Sequence, residues 1–152
     1  MFSFVRHAVD VVCRRSTARQ CGALCWRETD GVVEILLITS RANKEWIIPK
    51  GWPMPGKTLA QAAAEEAWEE AGIRGVVEDQ AVGSYRYIKR RGGKEIAIDV
   101  TVFPLEVAEE HDAFREQGQR EKCWLSPIAA AEIAANDTLA ALLAAFHPTS
   151  TA

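Results

Sequence analysis

The chain has 152 residues, with 18 lysines and arginines against 21 aspartates and glutamates, and 48% of its residues are hydrophobic. These values are typical of one globular domain with a single core, and they exclude fibrous and wholly disordered classes. The net charge of −3 argues against a dedicated polyanion binder, and no apolar run approaches the roughly 20 residues that a membrane helix needs.

The four cysteines do not have the spacing of a disulfide scaffold or a zinc site. Cys21 and Cys25 lie four residues apart, and no second pair follows them. Cys13 and Cys123 stand alone. We therefore predict reduced thiols and a cytoplasmic protein, without a membrane partner.

The chain reads as one domain with short extensions. We expect an N-terminal arm over residues 1–17, a domain over residues 18–147 and a frayed tail over residues 148–152. Apolar runs at 20–27 and 32–39 predict two strands, and Thr29-Asp30-Gly31 between them predicts a β-hairpin.

A third short strand at residues 46–48 ends at Pro49 and leads into a turn-rich segment. A helix follows: Thr58 and Gln61 form a capping box, alanines fill the next turns, and Gly72 provides the stop.

The second half of the sequence predicts more strands and two helices. Residues 76–88 and 95–107 indicate a long hairpin with a basic tip, and residues 123–125 a brief strand. Ser126 before Pro127 predicts a helix start, and Asp137 is expected to cap a last helix ending near Phe146. Strands and helices mix without strict alternation, which indicates an α+β fold with a mixed sheet covered by helices.

Three carboxylates share one side of the helix that begins after Thr58. Glu66, Glu69 and Glu70 fall within an arc of about 100° at helical periodicity. Such carboxylates repel one another unless a positive charge lies between them, and a hard divalent cation prefers oxygen ligands of this kind. A solvated acidic face would show the same pattern, but the preceding glycine-rich turn, the alanines and the glycine stop favour a site.

The segment GWPMPGKTLAQAAAEEAWEEAGI, residues 51–73, resembles the Nudix box, G-x5-E-x7-R-E-U-x-E-E-x-G-U, where U is aliphatic. The matching positions are Gly51, Glu66, Glu69, Glu70, Gly72 and Ile73. With IIPKGW before the box and Trp124 after it, the chain is most similar to the diphosphoinositol and diadenosine polyphosphate branch of that family. The resemblance implies a Nudix-type α/β/α sandwich.

Two positions depart from the family pattern. Lys57 stands where the box has glutamate, and Glu65 stands where it has arginine. Because the two changes reverse charge in opposite senses, we predict an ion pair with its ends exchanged. The alternative is two independent changes that leave the site less well ordered.

The resemblance also implies roles for the box residues. Glu66, Glu69 and Glu70, with the carbonyl of Gly51, would bind Mg²⁺, with Mn²⁺ as the alternative metal. Bound metal acidifies an attacking water. Glu69 or Glu70 would take the proton of that water, and a later loop offers further candidates: Glu109, Glu110, Glu116 and Glu121.

Basic side chains are the expected partners of phosphate oxygens. Arg41 and Lys50 flank the third strand, and Arg86 and Lys89 lie on the predicted hairpin, so these four are the candidate substrate contacts. Arg120, just before the last strand, is a further candidate. Trp52 is expected to face the cleft, whereas Trp46, Trp68 and Trp124 are expected in or beside the core.

The sequence thus predicts a metal-dependent pyrophosphohydrolase that cleaves a phosphoanhydride in a small phosphorylated substrate, with dinucleoside polyphosphates favoured. Inositol pyrophosphates, nucleoside triphosphates and capped RNA ends are alternatives, and a capped end is the one nucleic-acid partner retained. The competing hypotheses are a nucleotide-binding or regulatory Nudix module with little turnover, and a plain α+β domain with an accidental acidic helix.

Overall fold

A computed structural model describes residues 17–149. The predicted arm, apart from its last residue, and the final three residues of the predicted tail lie outside the described residues, as does Cys13. Cys21, Cys25 and Cys123 are free thiols. Within the described part of the chain, no helix combines the length and hydropathy required to cross a bilayer.

Residues 17–149 form eight strands and three helices. The strands are β1 (Ala18–Thr29), β2 (Val32–Thr39), β3 (Trp46–Ile47), β4 (Lys50–Gly51), β5 (Ile73–Val77), β6 (Gly83–Arg91), β7 (Lys94–Glu110) and β8 (Lys122–Leu125). The helices are α1 (Leu59–Ala71), α2 (Pro127–Ile133) and α3 (Asp137–Ala144).

All strands belong to one mixed sheet. Its main order is β3-β2-β1-β7-β5, while β4 pairs with β1, β6 with β7 and β8 with β2. The β1–β7 pairing is parallel and the other pairings are antiparallel. The predicted α+β class with a mixed sheet is confirmed.

Helices cover both faces of the sheet. The alanine face of α1 packs on one side against alternate residues of the central strands, among them Ala23, Cys25 and Phe103. On the other side Leu139 and Leu143 of α3 pack with Leu24 and Leu37. Because successive strand residues point to opposite faces, β1 and β2 contribute to both cores, which gives the α/β/α layering.

Local signals account for the β1–β2 hairpin and for both ends of α1. Asp30 and Gly31 have φ values of 52° and 80°, as a two-residue turn of the primed type requires. Thr58 and Gln61 form both bonds of the predicted capping box, and Gly72 closes the helix at φ 71°. A side chain at Gly72 would also meet the His111 carbonyl at 2.4 Å, so the stop fits only glycine.

Two predictions were wrong in detail. Residues 76–88 do not form one strand: β5 and β6 are separate, and the polar residues Glu78, Asp79 and Gln80 lie between them. Both pair with β7, which at 17 residues is long enough for two partners. The last helix is capped by Asn136, whose side chain accepts the Leu139 N–H, whereas Asp137 is the first helical residue.

Candidate functional site

Glu70 lies at the centre of the acidic side of α1. It is only 6% exposed. Its Oε1 accepts the backbone N–H of Lys50 at 3.0 Å, and its Oε2 pairs with the Arg120 guanidinium at 3.1 Å. The carboxylate is therefore fixed between β4 and the chain segment that enters β8.

Glu66 lies against the backbone of Gly51. A Cβ built on Gly51 would be 2.3 Å from the Glu66 Cδ and Oε1, so the carboxylate fills the space that any larger residue would need. Gly51 is held there because β4 pairs with β1 at Cys21. The glycine of the motif thus leaves room for the Glu66 carboxylate against the backbone of β4.

Glu69 joins α1 to the segment of residues 111–121, which we call the acidic loop. Its Oε1 pairs with Arg115 at 3.2 Å, and its backbone carbonyl accepts the N–H of Glu116 at 3.0 Å. The N–H of His111 donates to the Gly72 carbonyl at 2.8 Å. These bonds dock the acidic loop on the C-terminal half of α1.

The proximity of these groups shifts their acidity. Burial, reinforced by the charges of Glu70, Glu69 and Glu116, raises the pKa of Glu66 to about 7. Burial also raises the pKa of Glu70 to about 7, against the opposing effects of Arg120 and the Lys50 amide. Both carboxyls therefore titrate near neutrality in the absence of a bound cation.

Glu116 is the later-loop carboxylate that the fold brings to this site. Its Oε1 pairs with Arg120 at 3.1 Å and with Arg41 at 3.6 Å. Glu110 instead pairs with Lys122 at 2.7 Å and shares no ion-pair partner with Glu70. The other two candidates, Glu109 and Glu121, are exposed.

Lys50 is the predicted substrate contact whose backbone N–H binds Glu70. Its Nζ donates to the Tyr87 hydroxyl at 3.1 Å and lies 4.3 Å from the centre of that ring. The Tyr87 hydroxyl in turn donates to Gln20 at 2.6 Å. Burial, reinforced by the charge of Lys89, lowers the pKa of Lys50 to about 8. Lys89 lies on the same face of β6 as Tyr87 by strand alternation.

Arg86 and Arg41 have different surroundings. Arg86 binds Asp99 through two hydrogen bonds of 2.7 and 3.0 Å and alternates to the opposite face of β6 from Tyr87. Arg41 reaches the acidic loop, where Nη1 donates to Gln119 at 3.4 Å. The structure thus groups Lys50 and Lys89 on one face, places Arg41 beside Glu116 and engages Arg86 with Asp99.

The predicted pair of exchanged charges is confirmed: Lys57 Nζ lies 3.7 Å from Glu65 Oε2. A cavity of about 560 Å³ opens beside this pair between α1 and β5, lined also by Gln61 and Arg74. Glu66, Glu69 and Glu70 do not line it. The pair therefore lines this cavity, whereas the three proposed metal-binding carboxylates do not.

The tryptophans differ in burial in the way that the sequence predicts. Trp52 is 49% exposed beside Gly51. Trp46, Trp68 and Trp124 are partly buried. Trp68 carries the Arg74 guanidinium 3.9 Å above its ring.

The oxygen donors of the cluster suit a hard divalent cation. Within residues 17–149, however, no three acidic, histidine or cysteine side chains converge closely enough to hold a metal ion as they stand. Glu70 has a hydrogen bond at each oxygen, and Glu69 is paired with Arg115. The donor set fits such a cation, and its carboxylates are held by protein groups in this structure.

Sequence reasoning missed the contacts that assemble the site from distant segments. Tyr87 was not singled out as the partner of Lys50, nor Gln20 as the partner of Tyr87, and Arg115 was not identified at all. Arg120 was named only as a phosphate contact, whereas it binds Glu70. A partial signal existed for Arg120, since a cluster of carboxylates needs a counter-charge.

Comparison with known proteins identifies the relatives of this arrangement. The family model described as NUDIX domain matches residues 17–146. Nudix hydrolase 13, mitochondrial, of Arabidopsis thaliana is 30% identical over 107 residues, covering 66% of this chain and 53% of the relative. Diphosphoinositol polyphosphate phosphohydrolase 2 of Rattus norvegicus is 34% identical over 62 residues, covering 41% of this chain and 35% of the relative.

Among solved structures, a binary complex of C. elegans Ap4A hydrolase matches with a TM-score of 0.63 and 24% identity, covering 84% of this chain and 93% of that one. At this identity the likeness concerns the fold. The chain spans about half the length of the Arabidopsis relatives that it matches.

Proposed function

This chain belongs to the NUDIX domain family, and from that premise we propose that it is a metal-dependent pyrophosphohydrolase that cleaves a phosphoanhydride bond. The observation that carries the proposal is the seating of the Glu66 carboxylate on Gly51, next to Glu70, which the Lys50 amide and Arg120 hold in place. Buried carboxylates with raised pKa values are typical of functional sites.

The cation would be held by Glu66, Glu69 and Glu70 with the backbone carbonyl of Gly51. Mg²⁺ is the proposed ion and Mn²⁺ the alternative, because both take carboxylate and carbonyl oxygens. When bound, such an ion polarises phosphate oxygens and acidifies a water molecule.

The protein's own groups would supply the remaining chemistry. Glu69 or Glu70 would accept the proton of the attacking water, since each belongs to the carboxylate cluster that would hold the cation. Lys50 and Lys89 neutralise phosphate oxygens from one face of the sheet, and Arg41 does so from beside the acidic loop. Arg86 would have to release Asp99 before it could contribute.

We place dinucleoside polyphosphates first among the substrates. The support is the fold likeness to an Ap4A hydrolase and the similarity to a diphosphoinositol polyphosphate phosphohydrolase. Inositol pyrophosphates, nucleoside triphosphates and capped RNA ends are the other members of the proposed class. The free thiols of Cys21, Cys25 and Cys123 support the proposed cytoplasmic location, because disulfides are rare in reducing compartments.

The ion pair between Lys57 and Glu65 bears on the competing hypothesis of an inactive binding module. That hypothesis relied on a box disordered by two unrelated substitutions. With the two side chains 3.7 Å apart, the acid–base contact across the box is kept with its ends exchanged. We therefore favour the enzyme.

A substrate panel tests the proposal. The protein is incubated with Mg²⁺ or Mn²⁺ and diadenosine polyphosphates, a nucleotide sugar, inositol pyrophosphates, nucleoside triphosphates or capped RNA, and the products are separated by anion exchange. We expect cleavage of a phosphoanhydride that stops when the metal is chelated. The absence of cleavage for every compound with both metals would contradict the proposed activity.

A further inference from the structure

Arg120 connects three segments that are far apart in the sequence. Its side chain is 7% exposed, and Nη1 donates to the Thr39 carbonyl at 3.0 Å. Nη2 donates to Glu70 Oε2 at 3.1 Å, and both Nη2 and Nε donate to Glu116 Oε1 at 3.1 and 3.2 Å. One guanidinium thus ties the end of β2, the helix α1 and the acidic loop together.

Glu116 is held in an asymmetric way. Its hydrogen bonds with Arg120 and its 3.6 Å contact with Arg41 go to Oε1. Within residues 17–149, no hydrogen bond involves Oε2. Because its backbone N–H also donates to the Glu69 carbonyl, the residue is anchored at both ends. One carboxylate oxygen is left available to a further ligand.

Electrostatic repulsion explains why a positively charged side chain is needed between Glu70 and Glu116. The two carboxylates share one guanidinium, and without its positive charge they would repel each other and move apart. The fixed fork of an arginine can bond two carboxylates at once, whereas a lysine acts as a single point charge. The geometry of this contact therefore depends on arginine.

We propose that Arg120 is a positioning residue that holds Glu116 of the acidic loop against Glu70, so that Glu116 joins the helix carboxylates in binding a divalent cation. This inference rests on the proposed function for the identity of the helix carboxylates. Arg120 acts by holding Glu116 in place against Glu70 and makes no contact with the cation.

The test is a double-mutant cycle read by calorimetric titration of the full chain with Mn²⁺. We expect Arg120→Met and Glu116→Gln each to weaken Mn²⁺ binding about tenfold, the range found when a residue that orients a metal ligand is removed. In the double variant the loss should stay near tenfold, because Arg120 acts through Glu116. Two independent effects would multiply to about a hundredfold.

The sign of the change separates positioning from simple charge. If Arg120 affected the site only through its positive charge, its removal would strengthen binding of a cation. Tighter or unchanged Mn²⁺ binding by Arg120→Met, or a multiplicative loss in the double variant, would overturn the proposal. Arg115→Met is the matched control: Arg115 lies on the same loop and pairs with Glu69, but it is 74% exposed, so we expect a change below about twofold.

Arg120→Lys keeps the inference testable if the methionine variant does not fold. It retains the charge but not the fork, so we expect Mn²⁺ binding about three- to tenfold weaker than that of the parent. Full retention would overturn the proposal.

The titration requires no hydrolysis, which separates this inference from the proposed function. A parent that binds Mn²⁺ and shows the non-additive cycle but hydrolyses nothing would contradict the activity alone. Hydrolysis by the parent with a multiplicative cycle would contradict the role of Arg120 alone. No Mn²⁺ binding by the parent would overturn both.

Discussion

Replacing Gly51 by alanine puts a methyl group into the space that the Glu66 carboxylate occupies. The new Cβ would be 2.3 Å from Glu66 Cδ, whereas ordinary contact begins at 3.4 Å. The carboxylate must therefore move by about 1 Å, and a displacement of that size at a reacting centre costs about 100-fold in rate. We expect kcat of the Gly51→Ala variant to fall by about that factor.

Stability should respond much less. The group that must move is the end of a flexible side chain, and Gly51 does not have a positive φ that alanine would strain. We expect the free energy of unfolding to change by less than about 1 kcal/mol and Tm by less than about 4 °C. Steady-state kinetics and thermal denaturation on the same preparation measure both effects.

Gly22→Ala is the control with the opposite expected pattern. Its Cβ would meet Val100 Cγ1 at 3.0 Å and Ile48 Cδ1 at 3.1 Å, both within the core. Crowding of this kind costs about 1–3 kcal/mol of stability, while the rate of the folded protein should stay near that of the parent. Near-parent kcat for Gly51→Ala, or a loss of stability as large as that of Gly22→Ala, would refute the reasoning.

Three further predictions concern charge. Lys57→Glu should lower the free energy of unfolding by about 0.2–1 kcal/mol, and the double variant Lys57→Glu/Glu65→Lys should recover it in chemical denaturation; no recovery would contradict the pair. Because the pKa values of Glu66 and Glu70 are raised from 4.5 to about 7 in the fold, the folded state holds more protons than the unfolded state between these values. The metal-free protein should therefore lose stability as pH rises from about 5 to about 8, measured as Tm against pH. The Tm of Glu66→Gln should depend less on pH than that of the parent. A parent Tm that does not change with pH would count against the raised pKa values. Lys50→Met should raise KM about tenfold with a smaller effect on kcat, as expected for loss of a charged phosphate contact; an unchanged KM would remove Lys50 from the substrate site.

The parts of the fold that the sequence predicts best depend on neighbouring residues. The hairpin turn at Asp30-Gly31 and the capping box at Thr58 are formed by residues within three positions of one another. Their chemistry can be read directly, and the structure confirms both. The boundary between β5 and β6 was missed because three polar residues interrupt an otherwise strand-like stretch, and only the length of β7 gives each half a partner.

For the site too, features set by neighbouring residues were predicted, whereas contacts between distant segments were not. The spacing of Glu66, Glu69 and Glu70 on α1 follows from helical periodicity and was predicted. The contact between Lys50 and Tyr87 spans 37 positions and that between Arg120 and Glu70 spans 50. The first contact depends on the parallel pairing of β1 with β7 and the second on the pairing of β8 with β2, and no local pattern encodes either pairing. The exchanged pair Lys57–Glu65 was predicted because the family pattern supplied the missing long-range information.

The most direct test of the proposed activity compares three variants that each remove one carboxylate from the same helix. Glu69→Gln and Glu70→Gln remove proposed catalytic groups, whereas Glu65→Gln removes a partly exposed one whose partner is Lys57. The measurement is kcat/KM for the substrate cleaved fastest by the parent, at saturating Mg²⁺. We predict a loss of about 100-fold or more for Glu69→Gln and Glu70→Gln, within the range of general acid–base effects, and a change below about threefold for Glu65→Gln. Equal activity in all three variants would contradict the assignment of catalysis to this cluster.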